Sequence, residues 1–262
     1  MDSLTFQRLL HLNQEFYQKF GPAFAATRRR IQPGVRRVVN GLPVGGRLLD
    51  LGCGSGTLAL ELDKLWITGT YFGLDFSNEL LAEARNALHR AKPGGVDIRF
   101  ARADLIDPNW ADLAAGFPVD VVLAFAVLHH IPDSGVRARI LRQVCDLLPE
   151  GGVFIHSEWQ FQHSAKLMAR RIPWQTAGIE EADLEPGDTL LDWRYALPGQ
   201  PEQVGLRYVH LFTREELTDL ATQAGFTVDS EFESDGEGGR LGLYQGWRKI
   251  PFSTTPTLGI GK

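Results

Sequence analysis

The sequence predicts an α/β fold in which a parallel sheet is wound with helices on both faces. Three observations carry that expectation. Short apolar runs alternate with helical patterns from Arg47 to Trp159. One run, VDVVLAFAV at 119–127, is almost unbroken, as in a strand covered on both faces. The chain then closes with a helical pattern and two further strand-like runs.

Taken in order, MDSLTFQRLLHLNQEF opens an amphipathic helix with Leu9, Leu12, Phe16 and Phe20 on one face. Acids and polar residues break its apolar positions, so it does not read as a signal peptide. RLLDL at 47–51 reads as the first strand and LALELDKLW as the helix that follows. TYFGLDF at 70–76 is a second strand, with leucines and alanines at helical spacing in NELLAEARNALHRA behind it. VDIRFARAD at 96–104 is the third strand and VDVVLAFAV the fourth. SGVRARILRQVCDLL forms the next helix, which Pro149-Glu150-Gly151-Gly152 ends with turn chemistry. VFIHSEW at 153–159 is the fifth strand. Residues from about 160 to 209, rich in Pro, Gly, Trp and acids, form an insertion without clear periodicity. TREELTDLATQAGF resumes as a helix with Thr213 as N-cap, Glu216 in capping-box position and Gly225 at its end. FTVDSEFES and GLYQGWRKI complete seven strands as an antiparallel pair. Repeated βα units imply right-handed crossovers. The expected organisation is an N-terminal helical cap over 1–45, an α/β domain over 46–250 and a tail over 251–262.

Composition narrows the function classes. The two cysteines, Cys53 and Cys145, are too few for a disulfide framework and fit a reducing cytoplasm. No apolar stretch is long enough to cross a bilayer. The net charge of −5 argues against a nucleic-acid partner, but the average hides an asymmetry. Lys19, Arg28, Arg29, Arg30, Arg36, Arg37 and Arg47 fall in a stretch without one acid, while Glu180, Glu181, Asp183, Glu185, Asp188 and Asp192 crowd the insertion. Such separation makes either a basic patch on an acidic protein or a solvated helix face.

The most specific motif is LLDLGCGSGTLAL at 48–60. A strand ends at Leu51, and Gly52-Cys53-Gly54-Ser55-Gly56 turns into a helix whose first amides face outward. Glycines there permit positive φ and let a ligand approach the backbone. A dinucleotide fingerprint needs a third glycine where this chain has Thr57. The carboxylate of Asp50, ahead of the loop, suits a cationic ligand better than a pyrophosphate. Asp75, at the end of the second strand, can accept both hydroxyl protons of a ribose. Asp104 ends the third strand, as an acceptor or a mere N-cap. The fourth strand runs into AFAVLHHIPD, which should face the ligand crevice. His129 and His130 are acid/base candidates there, or loop-holding residues. No third ligand nearby suggests a metal site.

The DLGCGSG string resembles the S-adenosylmethionine (SAM) motif of class I methyltransferases. That resemblance implies a Rossmann-like seven-stranded sheet with an N-terminal helical extension and an insertion after the fifth strand. It implies SAM as cofactor and S-adenosylhomocysteine as product. SAM-binding residues are then expected at Asp50, Gly52, Cys53, Gly54, Gly56, Asp75, Phe76, Asp104, Leu105 and Phe125, with Asp104 accepting from the adenine amino group. Beyond the SAM motif, the chain resembles the tRNA wobble-uridine carboxymethyl methyltransferases. The matching features are Phe16-Tyr17, Thr27-Arg28, AVLHHIPD, PEGGVFIHSEW, the Asp188–Trp193 run and, most tellingly, LRYVHLFTREEL at 206–217. That resemblance adds Tyr17 and Arg28 as cofactor contacts. It implies a tRNA acceptor, with room for a small activating subunit, in the cytoplasm.

Arg207 can grip a carboxylate or phosphate through two parallel hydrogen bonds, while Tyr208 and His210 can stack on or hydrogen-bond a base. Alternatively, Arg207 pairs with the acidic insertion, and Tyr208 and His210 share one face of a short strand. A carboxylate acceptor is already ionised near neutral pH and needs an orienting cation such as Arg207. A hydroxyl or ring-carbon acceptor needs a base, for which His130 is the candidate. The catalytic expectation is therefore His130, Arg207 and His210. Two alternatives stand beside a tRNA acceptor: a small-molecule methyltransferase with the insertion as lid, and a non-catalytic SAM-binding protein.

Overall fold

A computed structural model describes residues 1–26, 30–91, 94–195 and 202–251. The chain begins with α1 (Ser3–Ala26) and α2 (Pro33–Gly41). Alternating units follow: β1 (Arg47–Leu51), α3 (Thr57–Leu65), β2 (Thr70–Asp75), α4 (Asn78–Arg90) and β3 (Asp97–Arg102). Then come β4 (Val121–Phe125), α5 (Ser134–Leu147), β5 (Val153–Trp159) and the single turn α6 (Ala165–Met168). β6 (Asp188–Tyr195), β7 (Gln203–His210), α7 (Arg214–Ala224), β8 (Phe226–Ser234) and β9 (Gly242–Lys249) complete the described α-helices and strands.

Seven strands form one sheet in the order β3-β2-β1-β4-β5-β9-β8. β3 through β5 are parallel neighbours, and β9 lies antiparallel to both β5 and β8. This is the expected seven-stranded architecture. Successive side chains of a strand point to opposite faces, so Leu48 and Leu49 enter different cores. Leu49, Val122, Phe154 and Trp247 pack with Ile140, Leu141 and Leu217 from α5 and α7. On the other face Leu48, Tyr71 and Leu123 pack with Val38, Ala59 and Leu62 from α2 and α3. The strand order reverses between β1 and β4, which opens a crevice beyond their carboxyl ends.

Local chemistry sets the helix boundaries. The Ser77 and Asp133 side chains accept from Leu80 N–H (3.2 Å) and Val136 N–H (3.0 Å) to start α4 and α5. Thr213 accepts from Glu216 N–H at 3.1 Å, and Gly225 ends α7 at φ 91°. The Glu216 carboxylate turns to His210 and Arg137, so it serves the tertiary structure rather than the reciprocal half of the capping box.

The insertion is more regular than its sequence suggests, because β6 and β7 pair as a separate antiparallel hairpin. Both faces of that hairpin are covered. Leu190 and Tyr208 pack with Leu9 of α1, whereas Leu191 and Val209 pack with Phe161. A strand buried on both faces loses the polar–apolar alternation that reveals a strand in sequence. α1 lies along β7 and buries Leu9, Phe16 and Phe20, with Leu12 part-buried beside them, as its apolar face requires.

Candidate functional site

A cavity of about 640 Å³ opens at the carboxyl ends of the parallel strands. The glycine loop after β1 forms its floor, with Asp75, Asp104, Phe125 and His130 beyond β2, β3 and β4. Asn13 and Tyr17 of α1 and Arg207 of β7 complete its wall. Its size is that of a small-ligand site.

The loop is tied to the sheet, since Gly52 N–H and Cys53 N–H both donate to the Leu74 carbonyl, at 2.8 and 3.0 Å. Gly54 has φ 54°, and no atom lies within 4 Å of where a β-carbon would stand. Its backbone is therefore an open cradle on the cavity. Gly56 answers a different need. A β-carbon there would meet Ala84 at 2.9 Å and the Phe100 ring at 3.0 Å, so this glycine lets α3 and α4 approach each other. It does not line the cavity, which corrects the expectation that it contacts a ligand.

Two buried carboxylates lie beside the loop. Asp75 accepts from Gly54 N–H at 2.8 Å and Ser77 N–H at 2.9 Å. Burial raises its pKa, and those amide bonds oppose the rise. Burial pushes Asp50 up to about 7; the Tyr71 hydroxyl, which donates to it, pulls against that shift, and Asp75 adds to it. Desolvation thus leaves Asp50 in need of a cation. Asp104 accepts from Ile106 N–H at 3.0 Å and lines the same cavity, with Phe76 and Leu105. These features fit SAM: an open backbone cradle at Gly54 with two buried carboxylates, Asp50 and Asp75, beside it. The expected site residues Asp50, Gly52, Cys53, Gly54, Asp75, Phe76, Asp104, Leu105, Phe125, Tyr17, His130 and Arg207 all line this one cavity. Arg28 lies outside the described residues.

The two histidines after β4 divide their roles. His129 is buried, its Nδ1 2.9 Å from Glu158 Oε2 and its backbone N–H donating to the same oxygen at 3.1 Å. His156 Nδ1 lies 2.9 Å from the other oxygen of Glu158. Burial raises the Glu158 pKa well above the usual carboxylate range and lowers His156 to about 3. His130 is part-exposed at the cavity, with Nε2 2.9 Å from the Tyr17 hydroxyl and Nδ1 3.4 Å from the Tyr208 carbonyl. A carbonyl only accepts, so in the neutral ring the proton sits on Nδ1 and Nε2 accepts from Tyr17.

β7 separates its candidates by the period of a strand. Arg207 is 3% exposed, and its guanidinium lies 4.9 Å from the Phe16 ring and 5.3 Å from the Trp159 ring. Tyr208 and His210 point to the opposite face and do not line the cavity. His210 Nδ1 is 2.7 Å from Asp188 and its Nε2 2.9 Å from Glu216, so both ring nitrogens are already engaged. This corrects the expectation of a catalytic His210: the period-2 alternation that delivers Arg207 to the cavity turns His210 away. Burial alone would lower the His210 pKa; hydrogen bonding to Asp188 and Glu216 outweighs it and leaves the value raised. Glu185, Asp188 and His210 present ligand atoms within 4.8 Å of one another, but Arg137 supplies a cation there, 2.7 Å from Glu185.

Sequence reasoning missed Asn13, Glu158 and Trp159 as cavity residues. Glu158 and Trp159 end a parallel strand, and the crevice rule alone would have flagged them. Asn13 carries no such signal, because only the docking of α1 brings it to the cavity.

Comparison with known proteins agrees with this geometry. Residues 23–231 match the profile of the methyltransferase domain family. The tRNA (carboxymethyluridine(34)-5-O)-methyltransferase of Schizosaccharomyces pombe is 24% identical over 229 residues, spanning 82% of this chain and 88% of that protein. The carboxy-S-adenosyl-L-methionine synthase of Campylobacter concisus is 31% identical over 193 residues, spanning 73% of this chain and 74% of that protein. Among solved structures, a SAM-dependent methyltransferase of Methanosarcina mazei superposes with a TM-score of 0.59 at 24% identity, over 84% of this chain and 98% of that one. Among the described residues no helix is long and apolar enough to cross a membrane.

Proposed function

Since the chain belongs to the methyltransferase domain family and is a SAM-dependent methyltransferase, we propose that it O-methylates a carboxylate carried by a modified wobble uridine of tRNA. The observation that carries this reading is Arg207, a buried cation lining the same cavity as Gly54 and Asp75. An ionised carboxylate needs orientation rather than deprotonation, and a guanidinium provides it through two parallel bonds. When bound, SAM supplies an electrophilic methyl group on a sulfonium.

In this reading the glycine loop admits the cofactor against bare backbone at Gly54. Asp75 accepts from the ribose hydroxyls, Asp104 from the adenine amino group, and Asp50 balances positive charge. Arg207 aims the acceptor oxygen, and proximity lowers the barrier. The basic segment before Arg47, of which Arg30 lines the cavity, supplies phosphate contacts.

Asp75→Ala is expected to weaken SAM binding by roughly 10- to 100-fold, the range for losing hydrogen bonds to a charged group; titration calorimetry checks this. Asp50 predicts a pH dependence. With its pKa at about 7 in the free protein, it must release a proton to meet a cationic ligand, so SAM affinity rises from pH 5.5 and levels off above about pH 7. For the free protein the folded state holds this proton more tightly than the unfolded chain. The stability that Asp50 contributes is therefore greatest at low pH and is lost as pH rises toward about 7. Asp50→Asn should flatten the binding profile. A profile unchanged by that substitution would remove Asp50 from the cationic end.

Transfer of label from SAM to folded tRNA, falling steeply with salt, tests the acceptor class. A second reading is a small-molecule methyltransferase, favoured by likeness to a protein that makes a SAM derivative and by Trp159 and Leu167 walling the cavity. Salt-independent labelling confined to metabolites would replace the first reading with the second.

A further inference from the structure

The His130 turn and β7 approach the cavity from segments far apart in sequence, and one side chain of α1 joins them. Asn13 is 7% exposed. Its Oδ1 accepts from Tyr208 N–H at 3.0 Å, and its Nδ2 donates to the His130 carbonyl at 3.1 Å. Both partners are backbone groups beside residues that face the cavity: the Tyr208 amide follows Arg207 directly, and the His130 carbonyl belongs to the residue whose ring meets Tyr17. The His130 ring closes the same loop from its other side, 3.4 Å from the Tyr208 carbonyl. β7 pairs with β6 on one side only, and Asn13 meets it from the α1 side.

We infer that Asn13 is a positioning residue for methyl transfer, whose amide sets the register between the His130 turn and Arg207 and so aims the acceptor. The inference rests on Arg207 and His130 forming the acceptor half of the cavity. An amide is required because the bridge needs one acceptor and one donor on the same small group. Asp and Ala are both smaller than or equal in size to Asn, so neither overfills the site. Asp presents an oxygen to Tyr208 N–H yet sets a second oxygen against the His130 carbonyl. Ala serves neither partner.

The test uses the full-length protein with Asn13→Asp and Asn13→Ala. SAM affinity by calorimetry should stay within about twofold in both, because the amide bonds the His130 and Tyr208 backbone and neither Gly54, Asp75 nor Asp104. Methyl transfer, measured on whichever of tRNA or metabolite pools the wild type labels, should lose roughly 10- to 100-fold in kcat, the scale expected for an ångström of misplacement. The KM for SAM should hold. The choice of pool by the wild type judges the acceptor class, while the ratio of variant to wild type judges Asn13, so the two readings fail separately. A third readout needs no acceptor. Nitrogen-15 spectra of the His130 imidazole should show a single Nδ1–H tautomer in the wild type and mixed tautomers in Asn13→Asp. Amide exchange at Tyr208 should be slow in the wild type and Asn13→Asp and fast in Asn13→Ala. Wild-type kcat with an unchanged His130 spectrum in Asn13→Asp would overturn the inference. So would loss of SAM affinity in step with turnover.

Discussion

Arg137→Ala is expected to destabilise the protein by about 3–5 kcal/mol, the range for removing one partner of a buried ion network. Arg137 is 1% exposed. It donates to the Ile131 carbonyl at 3.0 Å and Glu185 at 2.7 Å, reaches Glu216 at 3.4 Å, and lies over the Phe212 ring. Through these bonds α5 holds the insertion to α7. Without the guanidinium, Glu185, Glu216 and Asp188 crowd together, and His210 offsets their charge only when it is protonated. At two to four degrees per kcal/mol for a chain of this size, the midpoint of thermal unfolding should fall by roughly 10 °C. The deficit should depend on pH. His210 has a raised pKa, so its ionic contribution is complete below the unfolded value of about 6.5 and disappears as pH climbs through the folded one. Arg137→Ala should therefore be impaired more at pH 8.5 than at pH 6. Denaturant unfolding at both values is the check, and a loss under about 1 kcal/mol at each would show that the network is not what holds the hairpin.

Arg207→Ala is the second large effect, and it falls on activity. Removing a buried charge that meets an ionised acceptor should lower kcat/KM by roughly a hundredfold, about 3 kcal/mol, while SAM affinity is retained. Arg207→Lys should recover only part of it, because an ammonium cannot reproduce the planar fork, nor the guanidinium's delocalised contact with the nearby Phe16 and Trp159 rings. Calorimetry with SAM and steady-state kinetics on each variant separate the two quantities. Equal loss of SAM affinity and turnover would assign Arg207 to the cofactor instead.

The sheet was legible in the sequence because its signals are local and repeated. A strand such as VDVVLAFAV is apolar throughout since both of its faces are covered, and each βα unit adds its own evidence for a parallel sheet. The loop at Gly52–Gly56 was legible because glycine spacing before a helix reports backbone geometry directly. Within it the sequence could not separate Gly54, which opens onto the cavity, from Gly56, which makes room for Ala84 and Phe100; that distinction depends on what packs behind each one. The β6–β7 hairpin was hidden for the same reason that β4 was plain. Burial on both faces removes alternation, and in β6 and β7 the buried set includes Asp188, Asp192, Arg207 and His210, so no apolar run remains. In the string LRYVHL a short strand with Tyr208 and His210 on one face is one of two open readings. The pairing of β7 with β6 decides between them. Asn13 was out of reach, since its role depends on how α1 docks on β7.

Whether the cation beside the SAM site takes a carboxylate acceptor is tested most directly by the bond in the product. Methyl groups transferred from labelled SAM to tRNA should be released as methanol by mild alkali, because a methyl ester hydrolyses under conditions that leave ethers, amines and ring-carbon methyls intact. Alkali-stable label would contradict a carboxylate acceptor and return His130 to the position of general base.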